Sequence, residues 1–361
     1  MTNGSILNLK LFKLSLICAL FLAMLAFPGL SKAQTDSTKT QAKEFDPQAT
    51  VMEHIGDSHA WPFAFPLVHE KFIPLPVILY TDRGMEFFSS GNLLPEGTIY
   101  KGAYYNYELI EKKVKAVDGN GKVIENASVL DFSITRNVVS MMMTCTILMI
   151  IFLTVSARYK KTVGKAPKGL QSFMEPLILF VRDDIAIPNL GIKYKKYMPL
   201  LLTVFFFILI NNLFGMVPFF PGGFNLTGNI AVTGVLAVIT LLVVNISANK
   251  YYWKHIFMPN PWWLFPIMIP VEIVSIFSKP IALMIRLFAN ITAGHIVILS
   301  LISLIFIFQT LWVSPVSIIF VVFMYLIELL VAFLQAYIFA LLSALFIGMA
   351  TDEHHDHQEV I

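Results

Sequence analysis

SKPIALMIRLFANITAGH, residues 278–295, is the stretch on which the reading of this chain turns. Arg286 stands in its middle among lipid-soluble neighbours, and no acidic residue lies within a helical turn of it. Of the 361 residues, 57% are hydrophobic and only 14% are charged, with a mean hydropathy of +0.71, whereas a soluble domain carries about a quarter charged residues. The composition is that of a membrane protein. The net charge of +3 is small, and the lysines and arginines gather in short segments, which gives a nucleic-acid partner no support.

Outward from that stretch the apolar runs separate into crossing segments. VVSMMMTCTILMIIFLTVSA, 138–157, has 20 uncharged residues, enough for a hydrocarbon core about 30 Å thick at about 1.5 Å per residue. Residues 158–196 then hold nine Lys or Arg against three acids, and by the positive-inside rule this loop is cytoplasmic. From Tyr197 to Asn249 none of the 53 residues is charged, which suits two spans joined by the breaker Pro218-Phe-Phe-Pro-Gly-Gly223. Lys250 and Lys254 mark a return to the cytoplasm. From Pro261 the chain is apolar but carries Glu272, Lys279, Arg286 and His295, and the last run, 316–351, is broken only by Glu328. The tail, 352–361, is then cytoplasmic. The expected fold is an all-α polytopic membrane protein with about five crossing helices, the last two long and open to strong tilt, and a small β-containing extracytoplasmic N-terminal region.

That region follows a leader. Lys10 and Lys13, an apolar run, and Ser31-Lys32-Ala33 before Gln34 make residues 1–33 a signal peptide; the competing reading is an uncleaved first transmembrane helix. Cys18 leaves with the leader and Cys145 sits in an apolar helix, so no disulfide is expected. Residues 34–136 are polar, interrupted by Pro and Gly, and rich in Tyr and Phe. The first ten or so after Gln34 read as disordered. VKAVDGNGKVIENASVL, 114–130, sets a Gly-Asn-Gly turn between two β-prone arms and predicts a hairpin.

Ionisable side chains at mid-bilayer cost roughly 2.5–3.5 kcal/mol on insertion scales, and their default meaning is functional. Arg286, His295 and Glu328 qualify. At about 100° and 1.5 Å per residue, Asn290 shares the face of Arg286, and His295 lies about 13 Å further along the axis toward the exterior. In the next helix, running back, Glu328 and Gln335 share a face about 10 Å apart. Two antiparallel helices then set Arg286 level with Gln335 and His295 level with Glu328, in two polar layers. This separates Glu328 from Arg286 by a couple of turns, so the arginine calls for an acid on another protein. Glu272 and Ser275, about 21 Å and 16 Å on the other side, offer a polar route toward the cytoplasm. Lys279 reads as snorkelling.

SKPIALMIRLFANITAGH together with ELLVAFLQAYIFALLSALFIGMA, 328–350, resembles the a subunit of F-type ATP synthases across 137–353, the membrane domain running to 351. DPQATVMEHIGDSHAWPF, 46–63, resembles an amino-terminal motif of that family; 64–136 has no counterpart. The resemblance implies the proton-channel stator of a multi-pass complex in the cell inner membrane, with a ring of c subunits and b-type peripheral stalk subunits as partners. It implies that Arg286 faces the ring carboxylates with Asn290 and Gln335 beside it, that His295 and Glu328 line the outer half-channel, and that Glu272 and Ser275 line the inner one. Many bacterial relatives carry an acid in place of His295 and a histidine in place of Glu328, so this pair is exchanged. Ala289 replaces a more usual Gly.

Other readings compete. A sodium-coupled version of the same machine would differ mainly in the ring. A proton-coupled secondary transporter also buries charge at mid-membrane, but its repeated halves are missing here. Haem would need paired histidines in spans, and only His295 lies in one. His54, Asp57, His59 and the cluster His354, His355, His357 could bind metal but read as solvated loop residues. No cofactor or metal is expected.

Overall fold

The apolar runs become helices in this computed structural model, which describes residues 56–62, 72–257, 265–308 and 312–351, other than 96, 111, 120, 125, 126, 163, 165 and 218–221. The leader, the segment after Gln34, His54, the centre of the 218–223 breaker and the histidine-rich tail lie outside the described residues. The α-helices longer than four residues are α1 (Arg136–Lys161), α2 (Leu170–Phe180), α3 (Tyr194–Met216), α4 (Ile230–Ser247), α5 (Lys250–Phe257), α6 (Phe265–Phe308) and α7 (Val313–Thr351). Among the described residues, five helical stretches are long and apolar enough to cross a membrane: α1, the run Leu170–Met216, α4, α6 and α7. A helix of 44 residues such as α6 is about 66 Å long, about twice the hydrocarbon thickness. It stays within a bilayer only if strongly tilted.

One part of the 158–196 loop reading is corrected. Residues 170–190 are helical, passing from α2 through a π turn at Val181–Ala186 and a short turn at Ile187–Leu190 before α3. Val181, Ile185 and Ala186 are fully buried, and Phe180 packs against Phe205, Phe333 and Tyr337. The count of charges hid this apolar stripe. Arg182 and Asp183 pair with each other on the exposed side at 2.7 Å.

The core lies where α7 crosses α3. Ala332, Ala336, Ala340 and Ala344, spaced four apart on one face of α7, are all fully buried, and such small residues let helix backbones approach closely where no hydrophobic drive exists between helices. At the end of α7 the approach is backbone to backbone, since a Cβ on Gly348 would collide with the Asn189 carbonyl oxygen. The terminal carbonyls of α7 are capped from neighbouring elements: Asn249 N donates to Ala350 O at 2.9 Å, and Asn249 Nδ2 and Lys193 Nζ both donate to Thr351 O at 2.8 Å. α1, α3 and α5 all carry lysines near this end of the bundle.

At the opposite end sit three small antiparallel sheets: β1 (Ala60–Pro62) with β2 (Phe72–Pro74); β3 (Pro76–Thr81) between β4 (Gly84–Ser89) and β8 (Val129–Asp131); and β5 (Tyr100–Lys101), β6 (Asn106–Ile110) and β7 (Lys113–Val117). Alternation along β3 turns Val77 and Leu79 onto Leu93, Tyr107, Leu109 and Val114. The expected hairpin at 114–130 is realised only at its tip. Asp118 N donates to Lys122 O at 2.8 Å and Val117 bridges Val123, but the second arm leaves and pairs with β3 instead. Turn chemistry is local, whereas the choice of partner strand follows burial. Glu86, buried at the sheet interface, accepts from Tyr107 Oη and Tyr104 N at 2.8 Å; burial and then this carboxylate raise the Tyr107 phenol above its ordinary range.

His59 also departs from expectation. It is buried, with Nε2 2.9 Å from Asp131 Oδ2, because β8 returns beside it. Burial alone would raise the Asp131 carboxyl, but hydrogen bonds from His59 and Ser133 outweigh it and hold Asp131 below its ordinary range. The neighbouring segment caps α1: Asp57 Oδ1 accepts from Asn137 N at 3.1 Å and Ser58 O from Arg136 N at 2.9 Å. A carboxylate at a helix N-terminus satisfies orphan N–H groups and complements the macrodipole.

Candidate functional site

α6 and α7 pack antiparallel, and their polar residues meet in layers. His295 Nε2 lies 3.9 Å from Glu328 Oε1, both residues buried. About a turn and a half along α6, Asn290 Nδ2 donates to Gln335 Oε1 at 2.9 Å. Further toward the β end, Ser317 Oγ donates to the Leu301 carbonyl. Helical periodicity alone set His295 opposite Glu328. It set Arg286 level with Gln335, whereas Gln335 bonds Asn290, one turn beyond the arginine. Gly294 makes room for the pair, since a Cβ there would lie 2.9 Å from Glu328 Oε1.

Arg286 itself is exposed, on a face of α6 shared with exposed Ala282, Ala289 and Asn290 and flanked by exposed Ile285. No hydrogen bond or ion pair among the described residues involves it. Among the described residues, no helix covers this apolar face with its one charge. Glu272 and Ser275 are half-buried toward the lysine end. Ser275 O accepts from Ser278 Oγ at 3.2 Å, and the Glu272 carboxylate acts on Tyr252 of α5, whose phenol is raised first by burial and then by that charge. Lys279, read as snorkelling, is half-buried. Its Nζ lies over the Phe346 ring at 5.6 Å, beside a small cavity bounded by Thr240, Tyr252 and Phe346.

Several polar residues of this region escaped the sequence reading. Asn212, buried on α3, donates to the Ala332 carbonyl at 3.2 Å and accepts from Thr227 Oγ1 at 2.7 Å. Asn225, in the loop between α3 and α4, is buried with neither amide atom hydrogen-bonded, as are both Glu328 oxygens and Gln335 Nε2. Gly215 brings α3 against the same centre, its Cβ position 3.5 Å from His295 Nε2. Arg136, buried at the start of α1, donates to the Gly56 carbonyl at 2.6 Å. Sequence offered only a weak signal for these: neutral amides in an uncharged run, and an arginine just outside the first apolar stretch.

Five apolar crossing helices with paired ionisable groups buried between the last two, joined to a small β region, define a polytopic all-α membrane protein. The profile of the ATP synthase A chain family matches residues 138–348, and that of a domain of unknown function (DUF8433) matches 50–132. The chain is 51% identical to ATP synthase subunit a of Chloroherpeton thalassium over 233 residues, 63% of this chain and 69% of that one. It is 42% identical to ATP synthase subunit a of Chlorobium phaeobacteroides over 280 residues, 74% and 81% of the two chains, and 44% identical to that of Myxococcus xanthus over 244 residues, 64% and 79%. The chain belongs to the ATP synthase A chain family, subunit a of the F-type ATP synthases.

Proposed function

We propose that this chain is the proton-conducting stator of the rotary synthase, with Arg286 facing the carboxylates of a c-ring and two offset half-channels leading to it. The observation that carries the reading is the exposed guanidinium on an apolar face that no described helix covers, about two and a half helical turns from the His295–Glu328 pair. A fixed positive charge there favours the ionised form of a passing ring carboxylate and bars a direct proton wire. Protons must then ride the ring.

His295 and Glu328 form the outer half-channel, extended by Asn225, whose buried amide atoms make no hydrogen bond and suit water, and by the hydrogen-bonded pair Thr227 and Asn212. Asn290 and Gln335 sit between this layer and Arg286 and hold each other. Glu272 and Ser275 begin the inner half-channel, with Lys279 and Tyr252 beside it. The machine lies in the cell inner membrane, with the β region outside and the lysine end in the cytoplasm, and b-type stalk subunits hold the stator. Extraction in mild detergent should recover the chain only with a c-ring and a nucleotide-hydrolysing head; a chain that purifies alone and transports a solute is a transporter.

Sidedness has its own test. With Cys18 and Cys145 replaced by Ser, single cysteines at Lys113 or Lys122 should react with an impermeant thiol reagent from the outside, and one at Lys168 only from the cytoplasm, as the basic excess at 158–196 requires. Reversed labelling would exchange the two half-channel assignments.

A further inference from the structure

One face of the sheet β4-β3-β8 is apolar and open. Its register sets Ile78 opposite Phe87 and Tyr80 opposite both Met85 and Leu130, on the side away from buried Val77 and Leu79. Phe87 is 68% exposed, Met85 55%, Leu130 53% and Tyr80 50%. Phe132, whose N–H continues the pairing to Ile78 O at 2.9 Å, is 63% exposed. The remaining described positions on this face, Pro76 and Ser89, are uncharged. Contiguous apolar patches of this kind mark an interaction surface.

Where the strand leads tells what covers it. β8 passes into α1 without slack: Ile134 N donates to Pro76 O at 3.2 Å and Arg136 N to Ser58 O at 2.9 Å. Phe132 is thus at most about 14 Å of chain from the first residue of α1. Beyond it α1 presents Met142, Met149, Ile150 and Leu153, each at least 58% exposed, on its lipid side. The neighbouring hairpin is seated on the helices themselves, with Trp61 and Ile73 packed among Phe224, Leu226, Val139 and Met143. The β region therefore rests against the end of the bundle, at the height where the bilayer ends.

We propose that the face formed by Ile78, Tyr80, Met85, Phe87, Leu130 and Phe132 docks on the headgroup interface of the lipid bilayer beside α1. Aromatic and aliphatic side chains without charge suit that zone, where aromatic rings collect, and the strand that carries Leu130 runs through Phe132 directly into α1. The row Phe132–Ile78–Phe87 adjoins the helix and lies deeper than Leu130–Tyr80–Met85. The docking does not depend on the channel reading, and either can fail alone.

The test uses the assembled complex in vesicles of phosphatidylcholine and phosphatidylglycerol, with Cys18→Ser and Cys145→Ser as background. A nitroxide is placed at Phe132→Cys, Phe87→Cys, Met85→Cys or Lys113→Cys, the last an exposed position on the other sheet, and its collisions with oxygen and with a water-soluble nickel chelate are compared. Labels at 132 and 87 should show an oxygen-to-nickel ratio severalfold above that at 113, with 85 between them. A ratio at 87 equal to that at 113 would place the face in water, and protection from both reagents would place it under another protein chain; either overturns the proposal. If the Phe132 variant does not assemble, the label at Phe87, the most exposed of the set, decides the question by itself.

Discussion

Arg286→Ala should abolish ATP synthesis while the complex still assembles, because Arg286 is exposed and no hydrogen bond or ion pair among the described residues depends on it. Removing a buried, paired arginine would be expected to unfold the protein; removing this one leaves only an apolar face. The loss is then purely functional. Without the fixed charge, the ring carboxylate opposite can stay protonated, and the two half-channels are no longer separated. The measurement is ATP-driven proton pumping in inverted vesicles, paired with a check of subunit composition. Arg286→Lys should restore little, since an ammonium is a compact point charge without the planar fork and loses its proton more readily when desolvated. Normal pumping by the alanine variant would end the proposed role.

The second large effect concerns the exchanged pair. With His295 Nε2 3.9 Å from Glu328 Oε1, the two groups share one site, and replacing both should cost less than the sum of the single losses, with a coupling of about 1–3 kcal/mol. His295→Glu alone faces two carboxylates, which together hold a proton too tightly to pass it on. Glu328→His alone faces two imidazoles and leaves the layer without an acid. The double exchange, His295→Glu with Glu328→His, restores one of each and should pump better than either single variant. Additive losses, with the double variant the worst of the three, would show that the two residues act independently in proton transfer despite their proximity.

The sequence by itself determined the membrane class, the five crossing segments and the His295–Glu328 layer. These follow from short-range rules: hydrocarbon thickness sets the length of apolar runs, and helical pitch converts residue spacing into height. The N-terminal region was legible as β-containing for the same reason, and the Asp118–Lys122 turn sits where the Gly-Asn-Gly signal put it. What only the tertiary structure decided depended on contacts between segments distant in sequence. Charge counting made 170–190 a loop, yet its buried stripe of Val181, Ile185 and Ala186 packs in the core. Spacing could align Arg286 with Gln335 only to within a turn, and the helix packing instead gave Gln335 to Asn290. His59 and Asp131 are 72 residues apart, and nothing local announces that β8 will bury the histidine that a loop reading leaves in water. Asn212 joins α3 to α7 through the Ala332 carbonyl, and Asn225 is buried in the loop beyond it; a polar residue in an apolar run shows its partner only when the helices have met.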